Sequence, residues 1–144
     1  MVVIFWKGRI MNNKPITFEN FKNELLYHSI KEWHDNEIVL DNDIKIKIEE
    51  TDSVCCAYAE GTFEYVSLNA VITNVEDIEY HVEDDYDTRI RRAECKLFHN
   101  NNLICRATGY ANGGNGGYYY SIASFIVEKN GNKYIAHFVA DDDE

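Results

Sequence analysis

Short runs in which apolar and polar residues alternate recur along most of the chain after residue 43. In residues 44–49 isoleucine alternates with lysine or glutamate, and residues 78–83 and 92–97 repeat the pattern with other side chains. Because successive side chains of a strand point to opposite faces, this alternation predicts strands with one buried and one exposed face. A chain built mostly of such strands is constrained to form an antiparallel sheet.

The turn signals between these runs support the same interpretation. Asn100–Asn102 predicts a turn, and Asn130-Gly131 is typical of a type I′ hairpin turn. Residues 118–128 are apolar on both faces, which predicts a central strand. The glycine cluster Gly113–Gly117 lies between two strand patterns and predicts a flexible connection.

One segment has helical spacing instead. Thr17 is a good N-cap, and a stripe of apolar residues at helical intervals continues from there to about Trp33. The stripe consists of Phe18, Phe21, Leu25, Leu26, Ile30 and Trp33. A short strand at Val2–Trp6 and a turn at Asn12–Pro15 precede it. The sequence therefore predicts an α+β fold, with one N-terminal helix packed on a curved, mainly antiparallel β-sheet of about six to eight strands.

The length of 144 residues fits a single domain, here residues 1–140, followed by an acidic C-terminal tail at 141–144. The sequence contains no run of about 18 apolar residues, so it predicts no membrane span. The apolar start, residues 1–6, lacks the features of a signal peptide, and Met11 is a second possible start. These observations predict a cytoplasmic protein with reduced cysteines.

The four cysteines are Cys55, Cys56, Cys95 and Cys105. On a strand, the adjacent pair Cys55-Cys56 points to opposite faces and does not chelate one metal as a C-x-x-C pair does. Cys95 and Cys105 flank a predicted hairpin. Small buried core residues are the preferred interpretation, with a zinc site or a disulfide as the alternatives.

The charge is concentrated in the middle of the chain. The net charge is −11, whereas residues 35–87 contain sixteen acidic and two basic side chains, a sum of −14. The densest part predicts a surface that binds a basic partner. Its residues are Glu76, Asp77, Glu79, Glu83, Asp84, Asp85 and Asp87. The simpler interpretation is a solvated acidic loop that keeps the protein in solution.

Catalytic and metal-binding patterns are not recognisable in the sequence. There is no G-x-S-x-G or H-E-x-x-H motif, and the glycine cluster lacks the Lys-Ser/Thr of a P-loop. The acidic run lacks the turn glycine and final glutamate of an EF-hand. We therefore expect no enzyme activity, no cofactor and no metal, and the acidic charge argues against direct binding to nucleic acid.

In size and acidity, though in no motif, the chain resembles small acidic inhibitors encoded by phages and mobile elements, among them DNA-mimic anti-restriction and anti-CRISPR proteins. The resemblance implies inhibition of a basic, nucleic-acid-handling protein by charge mimicry. Two alternatives stay open: an immunity protein against a basic toxin, and a small-ligand-binding or enzymatic module. The apolar pocket of that module would be lined by Tyr58, Phe63, Tyr65, Tyr120 and Phe125. The oligomeric state is not predicted.

Overall fold

The computed structural model describes residues 2–6, 9–85, 88–115 and 119–141. These residues form one α-helix, α1 (Phe18–Leu25), and twelve β-strands. The strands are β1 (Val2–Trp6), β2 (Arg9–Pro15), β3 (Ile30–His34), β4 (Glu37–Leu40), β5 (Lys45–Ser53), β6 (Tyr58–Glu64), β7 (Asn74–Val75), β8 (Glu79–Asp85), β9 (Thr88–His99), β10 (Asn102–Asn115), β11 (Ser121–Lys129) and β12 (Asn132–Asp141).

The strands are arranged in two sheets. The seven-stranded sheet has the order β1-β2-β12-β11-β5-β4-β3. The five-stranded sheet has the order β6-β10-β9-β7, with β8 also pairing with β9. The described pairs are antiparallel except for β2 and β12, which run parallel.

The two sheets pack face to face around a common core. Alternate residues of β9 and β10, such as Ala93, Cys95 and Ala107, join one buried cluster with Ile48 and Phe125 of the seven-stranded sheet. Small side chains let the sheets approach closely. At Gly61 an added Cβ would lie 2.2 Å from Ile48 Cγ2, a separation that atoms in a packed core do not tolerate.

Helix α1 contributes to this core. The Thr17 hydroxyl accepts a hydrogen bond from the backbone N–H of Asn20 at 3.0 Å, which confirms the predicted cap. On the buried side of the helix, Phe21 stacks on Phe125 with 4.3 Å between ring centroids. Within the described residues, no helix is long and apolar enough to cross a membrane.

The predicted α+β class is wrong, because the protein is mostly β and has two packed sheets and one short helix. The helix ends at Leu25, eight residues before the predicted end near Trp33. Tyr27 takes a positive φ of 69°, which breaks the helical path. The chain then forms β3, which pairs with β4. Strand pairing therefore overrides the helical spacing of Ile30 and Trp33.

Several local predictions are confirmed and others are corrected. Strand Val2–Trp6 is present, and Asn130 and Gly131 have φ values of 53° and 77°, as a type I′ turn requires. The predicted turn at Asn12–Pro15 is instead part of β2. Gly113 and Gly114 belong to β10, whereas residues 116 and 117 lie outside the described residues.

The predicted acidic tail begins one residue too early. Asp141 is the last residue of β12 and is buried. Its carboxylate lies 3.3 Å from the Nε atom of Arg89, so it forms an ion pair between the two sheets. Residues 142–144 lie outside the described residues.

Candidate functional site: an acidic sheet edge

The acidic run lies along one edge of the five-stranded sheet. Strand β7 pairs with residues 97–98 of β9, and β8 pairs with residues 88–94 of the same strand. Among the described strands, β8 has no partner other than β9. We call residues 76–85 the acidic edge. An edge strand presents backbone groups that another chain can pair with, and acidic side chains limit which chains approach it.

The structure places four of the seven predicted binding residues on the surface. Glu76, Asp77, Glu79 and Glu83 are all exposed. Asp84 and Asp85 belong to β8, but their side chains lie outside the described part of the structure, as does residue 87 altogether. Glu79 and Glu83 are exposed as predicted, but so are Tyr80 and Val82, so the described part of β8 does not divide into an exposed and a buried face.

Two of these carboxylates are neutralised within the protein. The Asp77 carboxylate lies 3.3 Å from Lys22 Nζ of helix α1, a cation that it shares with Glu19 at 2.9 Å. Glu83 lies 3.3 Å from Arg92 Nε of strand β9. Both pairs are exposed on their acidic side, where such pairs contribute at most about 1 kcal/mol. They fix the edge against its neighbours without removing it from solvent.

Glu76 and Glu79 make no ion pair with any residue that the structure describes. Glu79 also lies directly opposite Glu94 in the register of β8 and β9. Like charges opposite each other destabilise a strand pair. Glu94 is paired with Lys96 Nζ at 3.4 Å and with Arg106 Nη1 at 3.8 Å, so of these two opposed carboxylates it is Glu79 that has no ion pair among the described residues.

The arginines that follow the acidic run are mostly directed elsewhere. Arg89 pairs with Asp141 of the seven-stranded sheet. Arg91 is two residues before the buried Ala93, so its side chain lies on the same face of β9. Its Nε atom is buried without a hydrogen-bond partner among the described residues. Of the three, Arg92 alone contacts a described carboxylate of the acidic edge. Arg89, Arg91 and Arg92 therefore neutralise the acidic edge only in part.

Tyr80 holds the acidic edge against the rest of the molecule. Its hydroxyl donates a hydrogen bond to the backbone carbonyl of Phe138 at 2.9 Å, which links β8 to the seven-stranded sheet. Burial raises the pKa of this hydroxyl above its usual value, so it stays a donor at neutral pH. This contact gives the edge a fixed position.

An open groove lies beside the acidic edge on the outer face of the five-stranded sheet. Its two parts, of about 340 and 250 Å³, share Arg92, Thr108 and Gly109 as lining residues. Arg106 lies at its side and pairs with Glu64 at 2.7 Å. The groove is polar and carries both signs of charge, which suits a charged group better than an apolar ligand.

The five residues predicted to line an apolar pocket are divided between the core and the surface. Phe63 and Phe125 are buried core residues, whereas Tyr58 and Tyr65 are exposed on the surface. Tyr120 is half-buried, and its hydroxyl donates a hydrogen bond to Asp52 at 3.0 Å. These five side chains do not line either part of the groove.

The cations that pair with the acidic edge are not evident from the sequence. Lys22 is 55 residues from Asp77, and no sequence pattern connects the two. The ion pair of Glu83 could have been predicted more easily, because an antiparallel β8–β9 hairpin brings Glu83 near residues 90–92. Counting back from the turn would have placed Arg92 on the outer face, opposite the buried Ala93.

The cysteines fall into two classes. Cys95 and Cys105 are fully buried, and burial raises the pKa of each thiol to about 12. The prediction of small core residues holds for this pair. Cys55 and Cys56 are exposed and lie in a turn before β6, which corrects the expectation that they occupy a strand. Within the described residues, no group of three or more His, Cys, Asp or Glu side chains is placed to hold a metal ion.

We expect a thiol reagent such as Ellman's reagent to modify two cysteines of the native protein and four of the unfolded protein. Cys95 and Cys105 are protected because the reactive thiolate is disfavoured by burial and the reagent cannot reach them. The measurement is the absorbance of the released thiol before and after addition of guanidinium. Rapid modification of all four cysteines in the native state would contradict the buried placement.

Comparison with known proteins gives one match. A family model described as a domain of unknown function matches residues 23–126, from within α1 into β11, which is most of the chain. The matched region includes the acidic edge, the groove and the four cysteines. No curated protein and no solved structure matches the chain.

Proposed function

Since the chain belongs to the DUF7448 family, a domain of unknown function, we propose a function from the geometry of the acidic edge. The protein is a non-catalytic binding protein. It inhibits a basic, nucleic-acid-handling partner through the acidic edge. The observation that carries the proposal is the exposure of Glu76 and Glu79 on a sheet edge with no ion pair within the described residues. Carboxylates held this way attract positive charge and suit a basic protein groove.

The rigidity of the edge supports the proposal. The Tyr80 hydroxyl links β8 to the seven-stranded sheet, and the backbone N–H of Glu76 donates a hydrogen bond to the Lys96 carbonyl at 3.0 Å, which joins the preceding segment to β9. A charged surface that is already ordered loses little conformational entropy on binding. A solvated loop that served only to maintain solubility would not need these contacts.

The test is affinity capture of partners from the native cell with wild-type protein and two charge-reversed variants. In the edge variant, Glu76→Lys and Glu79→Lys change the charge of the acidic edge. In the matched control, Glu32→Lys and Glu49→Lys make the same change in net charge on β3 and β5 of the other sheet. We expect the edge variant to bind the captured partner roughly 10- to 100-fold more weakly at low salt, and the control to bind like wild type.

Binding of the wild-type protein is expected to weaken steeply as salt is raised, since exposed charges are screened. Equal loss of binding in both variants would show that net charge alone matters and would refute a defined site. Unchanged binding in the edge variant would also refute it. Aggregation of the edge variant with no effect on any partner would support the simpler role of protecting a sheet edge.

A further inference from the structure

Cys55 and Cys56 occupy the two central positions of a tight turn. The backbone N–H of Ala57 donates to the carbonyl of Val54 at 3.1 Å, which closes the turn around the two cysteines. Cys55 has a φ of 55°, a conformation that side chains other than glycine seldom adopt. Strain of this kind persists where the surrounding structure enforces it, and it is a reason to look for a function.

Both cysteines lie near Tyr119, and Cys56 also lies near Gly114. The Tyr119 hydroxyl lies near the turn, and its interaction with the Cys55 side chain raises its pKa, with a smaller contribution from Cys56. Cys56 Sγ lies against the end of β10, because a Cβ added at Gly114 would be 3.0 Å from it. Both cysteines are nevertheless exposed to solvent. A small reagent can therefore reach either thiol.

We propose that Cys55 and Cys56 form a redox site, which a low-molecular-weight disulfide oxidises to a disulfide between the two adjacent residues. The inference is independent of the acidic edge. It assigns a role to the two exposed cysteines, as distinct from the buried pair Cys95 and Cys105.

The chemistry is two successive thiol–disulfide exchanges. In the first, the thiolate of one cysteine attacks a sulfur of the small disulfide, the S–S bond breaks, and one small thiol leaves with the proton that the cysteine lost. In the second, the thiolate of the other cysteine attacks the cysteine sulfur of the mixed disulfide, the bond to the small molecule breaks, and the second small thiol leaves with the proton that this cysteine lost. The protein loses two electrons and two protons, and the small disulfide gains both.

Adjacent residues make this bond strained and therefore readily reversible. Consecutive Cα atoms are about 3.8 Å apart, below the range of about 4.4–6.8 Å that most disulfides span. Strained and exposed disulfides have higher reduction potentials and are the labile ones. We therefore expect excess reduced glutathione to restore both thiols, as a regulatory site requires.

The experiment treats the native protein with glutathione disulfide, blocks the remaining thiols with N-ethylmaleimide, and measures intact mass and peptide masses. We expect the peptide containing residues 55 and 56 to be about 2 Da lighter than its reduced form and to carry neither glutathione nor maleimide. In Cys56→Ser, the second exchange is impossible, so a stable glutathione adduct is expected on Cys55. The matched variant Cys55→Ser should carry the adduct on Cys56.

The variant Cys55→Ser/Cys56→Ser is the control for the buried cysteines, and it should gain no glutathione. The proposal is overturned if wild-type protein keeps glutathione on one or both residues without forming the internal bond. It is also overturned if neither residue reacts, or if the bond resists excess reduced glutathione. Circular dichroism of each variant establishes that the fold is retained.

Discussion

Phe125→Ala is expected to lower the free energy of unfolding by about 3–5 kcal/mol, the usual cost of removing a buried phenylalanine. The ring of Phe125 stacks between Phe21 of helix α1 and Phe138 of β12, with 4.3 Å between centroids on each side. Removal of this ring leaves a cavity between Phe21 and Phe138. These two residues belong to different elements, so they cannot move together to fill it. For a protein of this length, the melting temperature should fall by on the order of 10 °C.

Equilibrium unfolding in urea, followed by circular dichroism, measures this loss. Phe125→Leu keeps part of the side-chain volume and should cost clearly less than Phe125→Ala. Leu68→Ala is the surface control, because Leu68 is half exposed and lies outside the core cluster. A loss below about 1 kcal/mol for Phe125→Ala would contradict the stacked arrangement.

Gly61→Ala is expected to destabilise the protein at the upper end of the range of about 1–3 kcal/mol that overpacking costs. The new Cβ would lie 2.2 Å from Ile48 Cγ2 and 2.8 Å from the backbone carbonyl oxygen of Thr108. One of these neighbours is backbone and the other is a core side chain, so neither moves aside easily. The close approach of β5 and β6 therefore requires glycine at this position.

A double-mutant cycle with Ile48→Ala tests the steric cause. Ile48→Ala alone removes buried methyl groups and should be destabilising by about 2–5 kcal/mol. If the clash is with Ile48, the double variant is less destabilised than the sum of the two single variants, by about 1 kcal/mol or more. Gly131→Ala is the control: nothing lies within 4 Å of its Cβ, and its cost arises from a φ of 77°. Additive effects of Gly61→Ala and Ile48→Ala would refute the argument.

The fold was predictable from the sequence wherever a local pattern determines local structure. Residues 130–131 form the expected turn because Asn and Gly tolerate positive φ, and residues 93, 95 and 97 point inward as their alternation predicts. The end of α1 was not predictable, since Tyr27 adopts positive φ without being glycine or asparagine. The division into two sheets depends on pairings such as β2 with β12, more than 100 residues apart.

The acidic edge was predictable as an exposed strand face, but its degree of neutralisation was not. Glu79 and Glu83 are exposed, as their alternation with apolar residues predicts, but Tyr80 and Val82 between them are also exposed, which the alternation does not predict. The pairing of Asp77 with Lys22, and the diversion of Arg89 to Asp141, depend on how distant elements pack. Composition reports the charge of a segment, whereas only the packing determines which cations reach it.

The position of β12 has a consequence for how the protein acquires its structure during synthesis. This strand lies between β2 and β11, so β2 has only β1 beside it, and β11 has only β5, until residues 132–141 have left the ribosome. Pairings this distant in sequence are slow to form. The hairpin of β1 and β2 is synthesised first, and among the strands of this sheet it is separated by the longest stretch of chain from its remaining neighbour, β12. One edge of β2 and one edge of β11 therefore stay open to pairing with other chains until translation passes β12.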